Sequence, residues 1–250
     1  MSSDPRAVRL AVLIDADNAS PRIAPGLFEQ IAELGEASVR RIYGDFSQGR
    51  LKGWAEILSN HAILAHQNFA TTSGKNASDI ALVIDAMDLL HAGRVDGFCI
   101  VSSDGDFTRL AARMREQGLL AYGFGEKKTP EAFRQACHRF IYTENLLPEA
   151  PTAAEPDKPD ARPASTTRPP AIAVALIRRA IAQMEDEEGW VPLGGVGQRL
   201  LALSPDFDPR TFGQPKLVTL VEKTDAFDVD RKAGRSVRIR ARPKPGAPKG

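Results

Sequence analysis

Three groups of acidic residues have the types and spacing to hold a cation. Asp15-Ala16-Asp17-Asn18 follows one apolar run, Asp79 opens a helical pattern after Ser78, and Ser102-Ser103-Asp104-Gly105-Asp106 follows a second apolar run. Two carboxylates about 4 Å apart repel by roughly 4 kcal/mol at an effective dielectric near 20. Four in one crevice must take up protons, splay into water or bind a cation. A hard divalent ion such as Mg2+ or Mn2+ prefers oxygen ligands of this kind. Such an ion polarises a phosphodiester and activates water. The chemistry such clusters suit is metal-assisted hydrolysis, with Asp15, Asp17, Asp79, Asp104 and Asp106 as the acids from which metal ligands would be drawn. Asn18 and Ser103 are the polar neighbours that would orient water or phosphate.

Each acid also has a local use. Asp106 suits the N-cap of the helix that follows it. Asp17-Asn18 suits an Asx turn before Pro21. Asp79 suits the first turn of a helix, where it complements the dipole. Their joint placement favours a site, because two of the groups follow strands that read as parallel neighbours. Asp85, six residues after Asp79, lies about 120° around the same helix and reads as a residue behind the site or on a solvated face. Lys75 precedes that helix and is a candidate phosphate contact.

Other chemistries find no support. Gly74-Lys75 is not a phosphate-binding loop, since Phe69 and Asn76 stand where Gly and Ser or Thr are required. Gly123 and Gly125 begin a dinucleotide fingerprint that Lys128 breaks. His61, His66, His91 and His138 lack metal-ligand spacing, and His66 reads as a packing or surface residue. Two cysteines, Cys99 and Cys137, exclude a disulfide scaffold and suit a reducing cytoplasm.

The elements that must position the acids alternate between strand and helix. Strands are expected at Val8–Ile14, Val39–Tyr43, Ala62–Ala65, Gly97–Val101, Leu119–Phe124 and Phe140–Tyr142. Helices are expected at Pro21–Leu34, Leu51–Asn60, Ser78–Leu90, Asp106–Gln117 and Glu131–Cys137. In the third of these, Ser78 is the expected N-cap, with Ile80, Val83, Ile84 and Met87 on one face. This alternation predicts a mostly parallel sheet covered on both faces, and ligands of such sheets bind at the carboxyl ends of the strands. Pro148 to Pro170, rich in proline and without apolar periodicity, reads as a disordered linker. Beyond it, helices at Ile172–Met184, Leu193–Leu203 and Lys216–Lys223 precede two short strands, Phe227–Val229 and Val237–Ile239, a winged-helix pattern.

The chain of 250 residues is 42% apolar and 26% charged, which is globular composition and suits one or two domains. No apolar run reaches the roughly 18 residues of a membrane helix, and no signal peptide is expected at the start, so the protein is expected to be cytoplasmic with no membrane partner. The net charge of +1 hides a basic end: residues 231–250 carry eight bases and no acid. Such a segment favours phosphates through counterion release, or serves only to solubilise.

Ala11-Val12-Leu13-Ile14-Asp15-Ala16-Asp17-Asn18, Lys75-Asn76-Ala77-Ser78-Asp79 and Val101-Ser102-Ser103-Asp104-Gly105-Asp106-Phe107 resemble the NYN domain of the PIN-like nuclease superfamily, in its LabA-like branch. The resemblance spans about residues 8–145. It implies a PIN-like three-layer α/β sandwich and a Mg2+- or Mn2+-dependent ribonuclease that leaves a 5′-phosphate. Asp15, Asp79, Asp104 and Asp106 match its acidic metal positions and Asn18 its polar one. Residues from about 172 to 242 resemble an OST-HTH/LOTUS domain, through Gly189-Trp190-Val191-Pro192-Leu193, Ser204-Pro205-Asp206-Phe207-Asp208-Pro209-Arg210-Thr211-Phe212-Gly213 and Lys216-Leu217. That resemblance implies RNA binding, or docking of a protein partner. Here Gln214-Pro215 precedes Lys216 and is expected to alter the start of the third helix. Arg199, Arg210, Lys216 and Arg238 are candidate RNA contacts, with surface charge as the plainer alternative. The expected organisation is a nuclease domain over 1–147, a linker over 148–170, a winged helix over 171–242 and a basic tail over 243–250.

Overall fold

The computed structural model describes residues 7–69, 77–147, 168–184, 189–231 and 236–242. The expected linker, apart from its last three residues, the basic tail beyond 242 and Lys75 lie outside them. The chain divides into two compact units, 1–150 and 151–250.

In the first unit the order is β1 (Arg9–Asp15), α1 (Ala24–Leu34), β2 (Glu36–Gly44), α2 (Lys52–Ala55), β3 (Leu64–Gln67), α3 (Ala77–Ala92), β4 (Gly97–Val101), α4 (Thr108–Glu116), β5 (Leu120–Gly125), α5 (Glu131–Ala136) and β6 (Arg139–Tyr142). The six strands form one parallel sheet in the order β3-β2-β1-β4-β5-β6. Leu10 to Ile14 are all fully buried because the sheet is covered on both faces. Alternation divides them: Ala11 and Leu13 enter the core with Leu82, Ala86, Leu110 and Phe133, while Leu10, Val12 and Ile14 enter the core with Leu27, Ile31 and Trp54. This is the expected three-layer α/β sandwich. Strand order reverses between β1 and β4, so their carboxyl ends open the crevice at the switch point.

Several expectations shift in detail. Helix α3 begins at Ala77, which puts Ser78 inside it rather than at its N-cap. Its buried face is Leu82, Ala86 and Leu90, while Ile80 and Ile84 are 60% and 58% exposed. Apolar residues surround most of this helix, so periodicity alone could not say which stripe meets the sheet. The segment Leu51–Asn60 is α-helical only over α2, and a 3-10 turn follows at Ser59–His61. Ala62 has φ 50°, so the third strand starts only at Leu64. The expected cap of the helix after β4 also moves. A 3-10 turn at Gly105–Phe107 precedes α4, and Asp104, not Asp106, caps it by accepting from the Asp106 N–H at 2.8 Å.

In the second unit the order is α6 (Pro170–Ile181), β7 (Val191–Pro192), α7 (Leu193–Leu203), α8 (Leu217–Lys223), β8 (Phe227–Asp230) and β9 (Arg238–Ala241). The strands form an antiparallel sheet, β7-β9-β8, one strand larger than the two-stranded wing read from the sequence. Helices and wing share a core around Ile177, Val196, Leu200, Leu220 and Ile239. Helix α8 begins at Leu217, with Lys216 extended at its N-cap, two residues after Pro215. Asp208, 5% exposed, caps the 3-10 turn Pro209–Phe212. It accepts from the Arg210 N–H at 2.8 Å and from the Arg210 guanidinium at 2.6 to 3.1 Å. Asp208→Ala is expected to destabilise this unit by about 1–2 kcal/mol, through the lost cap, measured by urea unfolding.

Candidate active site

The two acidic loops meet at the carboxyl ends of β1 and β4 and are joined by hydrogen bonds. Asp15 is 1% exposed. Its carboxylate accepts from the Ser102 hydroxyl at 2.7 Å, the Asn18 amide at 2.8 Å and the Asp17 N–H at 3.2 Å. The Ser102 oxygen in turn accepts from the Asp104 N–H at 3.0 Å. One continuous chain thus runs from the Asp104 backbone through Ser102 to Asp15, and fixes the spacing of the two loops. Burial raises the Asp15 carboxyl above its ordinary range, while the bonds from Ser102 and Asn18 pull the other way.

Asp79 reaches the same crevice from α3. Its carboxyl is pushed up to about 6, first by burial and then by the charges of Asp15, Asp104, Asp106 and Asp17. The charges of Asp15, Asp104 and Asp106 thus act on Asp79. Their donor set is all carboxylate, which fits a hard divalent ion. Among the described residues no three of them stand close enough to hold one ion directly.

The remaining expected residues fall into separate roles. Asn18 positions Asp15. The Ser103 hydroxyl accepts from the Glu126 N–H at 2.9 Å and ties the acidic loop to the segment after β5. Asp17 forms an exposed ion pair with Arg50 at 3.1 Å. Asp85 turns away from the cluster, as its angular offset from Asp79 predicts, and accepts from Arg41 and Tyr43. Burial opposes its ionisation, but the bonds from Tyr43 and Arg41 outweigh that and hold its carboxyl below the usual range. Tyr43 pairs with Asp15 in the sheet register, so this half-buried triad braces the strand beside the acidic one. Ser102 and Tyr43 were not singled out by the sequence, in which an interior serine and a strand tyrosine give no signal.

In the second unit Arg199 and Lys216 are exposed. The Arg210 guanidinium is engaged by Asp208, and Arg238 donates to the Trp190 carbonyl at 3.0 Å. Arg240 lies over the Trp190 ring at 4.8 Å.

Comparison with known proteins bears on this geometry. The NYN domain family matches residues 9–146, more than half of the chain. The chain belongs to the NYN family. NYN domains are PIN-like nucleases, which points to hydrolysis of nucleic acid. An OST-HTH/LOTUS domain follows at residues 167–239, which points to RNA binding. No curated protein matches the chain. Among solved structures it is similar to a protein of unknown function from Vibrio parahaemolyticus, at 17% identity, TM-score 0.48, covering 58% of this chain and 98% of that one. It is also similar to an uncharacterised protein from Nitrosomonas europaea, at 28% identity, TM-score 0.27, covering 41% and 94%. No described helix of this NYN protein is long and apolar enough to cross a membrane.

Proposed function

We propose that this NYN protein is a divalent-metal-dependent ribonuclease. The observation that carries the reading is the bonded chain from Asp104 through Ser102 to Asp15, faced by Asp79, whose charge the cluster disfavours. Asp15, Asp79, Asp104 and Asp106 would hold Mg2+ or Mn2+, which when bound supplies Lewis-acid polarisation of the phosphodiester and a water of lowered pKa. Asp15 is the positioned anchor, because Ser102 and Asn18 both donate to its carboxylate. Asp79 gives up its proton before it can accept a cation. The product end is a 5′-phosphate. The OST-HTH domain and the basic segment hold RNA, and the tether between the units raises the local concentration of substrate at the acidic crevice. Its two free cysteines, both buried, suit a reducing cytoplasm.

The test is the full chain with labelled single-stranded RNA. Cleavage is expected with Mn2+ or Mg2+ and none with EDTA. Tight RNA binding with no cleavage of several RNAs, in either metal, would overturn the nuclease reading and leave an RNA-binding adapter.

A further inference from the structure

A cavity of about 300 Å3 opens beside the acidic crevice, at the carboxyl ends of β4 and β5. Two hydrogen bonds connect its rim to the cluster. Asn18, on one rim, donates to Asp15, and the Glu126 backbone, on another, donates to Ser103. Its apolar lining comprises Ala19, Ile23, Val101, Phe124 and Leu147, of which Leu147 exposes the most surface, at 43%. Its edge is polar, with the carboxylates of Glu126 and Glu144 and the guanidinium of Arg22. The volume lies at the lower bound of ligand clefts, roughly 300–1,000 Å3, and admits one planar heterocycle.

The charges decide what fits. Two carboxylates at the edge repel a phosphate, so the cavity does not suit the RNA backbone. A carboxylate only accepts hydrogen bonds. A nucleobase offers an apolar face to this lining and an edge to the rim, and unstacked bases of single-stranded RNA are read in this manner. Guanine presents two adjacent donors, its ring N–H and its exocyclic amine, which one carboxylate can accept together. Adenine and cytosine offer one amine beside an acceptor nitrogen. Uracil offers one N–H between two carbonyls, which face a carboxylate with like charge. Glu144 is the better placed reader. Its Oε1 is oriented by the Lys127 N–H at 2.8 Å, whereas Glu126 is drawn to Lys128 at 2.9 Å. The Arg22 side chain makes no hydrogen bond or ion pair among the described residues and is available to the phosphate of the same nucleotide.

We infer that this cavity binds a guanine base next to the cleaved phosphodiester, read by the Glu144 carboxylate. The placement next to a cleaved bond rests on the ribonuclease reading. The experiment therefore measures binding apart from cleavage. Full-length protein in EDTA is titrated with 5′-GMP, 5′-IMP and 5′-UMP, for the wild type and for Glu144→Gln, an exposed and isosteric change. GMP is expected to bind about 5- to 100-fold tighter than IMP, which lacks the exocyclic amine, and than UMP. Glu144→Gln is expected to remove that preference. Cleavage sites on mixed-sequence RNA in Mn2+ are then mapped, and are expected next to guanosine in the wild type and scattered in the variant. Equal binding of the three nucleotides, with cleavage sites unbiased in both proteins, would overturn the cavity assignment and leave the nuclease standing. A GMP preference lost in the variant, with no cleavage of any RNA, would support the cavity and overturn the nuclease.

Discussion

Asp104→Asn is expected to lower RNA cleavage by at least about a hundredfold while the melting temperature stays within about 2 °C of wild type. The two halves of this result come from different atoms of one side chain. Oδ1 caps the turn at Gly105–Phe107 by accepting the Asp106 N–H, and an asparagine oxygen caps as well as an aspartate oxygen. The backbone N–H of residue 104, which bonds Ser102 and so locates Asp15, is untouched by the change. What disappears is one negative charge among four. A bound divalent ion would lose part of the field that holds it, and with it the electrostatic stabilisation it would supply to the phosphodiester. RNA affinity is expected to persist, because the residues proposed to hold RNA, in the second unit and around the Glu144 cavity, are untouched by the change. Single-turnover cleavage, an RNA-binding titration and a thermal melt together check it. Metal-dependent cleavage at the wild-type rate in Asp104→Asn would remove this carboxylate from the mechanism.

Much of the site was legible because strand ends are legible. Val12-Leu13-Ile14 and Ile100-Val101 are buried on both faces, so their apolar runs stop where the chain leaves the sheet, with Asp15 next to the first and Asp104 three residues after the second. The ends of these apolar runs therefore place Asp15 and Asp104 near the switch point. The link between them was not legible. Ser102 and Ser103 are adjacent and identical in type, and only the path of the chain beyond β4 decides that Ser102 points to Asp15 while Ser103 serves the Glu126 loop. The same limit applied to α3. Its stripes Ile80–Ile84 and Leu82–Ala86 both have helical spacing, and the choice between them is made by the sheet beneath, which also carries Tyr43 and Arg41 to meet Asp85. Arg210 shows the converse case. A basic residue in a matched motif reads as a phosphate contact, yet in the fold its guanidinium closes on Asp208 two residues away. A local partner that close in sequence was visible, but its burial was not.

Asp79→Asn is expected to stabilise the metal-free protein at neutral pH and to weaken its response to divalent cations. The folded-state carboxyl of Asp79 titrates at about 6, against an ordinary value of 3.8. Between those values the folded chain holds more protons than the unfolded one, so stability falls as pH rises. The favourable contribution of the protonated form is complete below about pH 4 and lost above about pH 6. At pH 7.5 the ionised group therefore carries its full penalty, which comes from burial and from the charges of Asp15, Asp104, Asp106 and Asp17. Asparagine removes it. Because the side chain is only partly buried, solvent screening reduces the gain to about 1–2 kcal/mol, or roughly 3–6 °C in melting temperature. Melts in EDTA at pH 7.5 and at pH 4 measure this directly. The variant is expected to melt higher at pH 7.5 and to match wild type at pH 4, where Asp79 is already neutral. Added Mg2+ is expected to reverse the order at pH 7.5, since a ligand stabilises the form that binds it more tightly. A variant less stable than wild type in EDTA at pH 7.5, or a difference that ignores pH, would show that the carboxylates do not repel one another across the crevice. The same proton sets the pH dependence of function: cation affinity is expected to decline as pH falls through about 6, where Asp79 regains its proton.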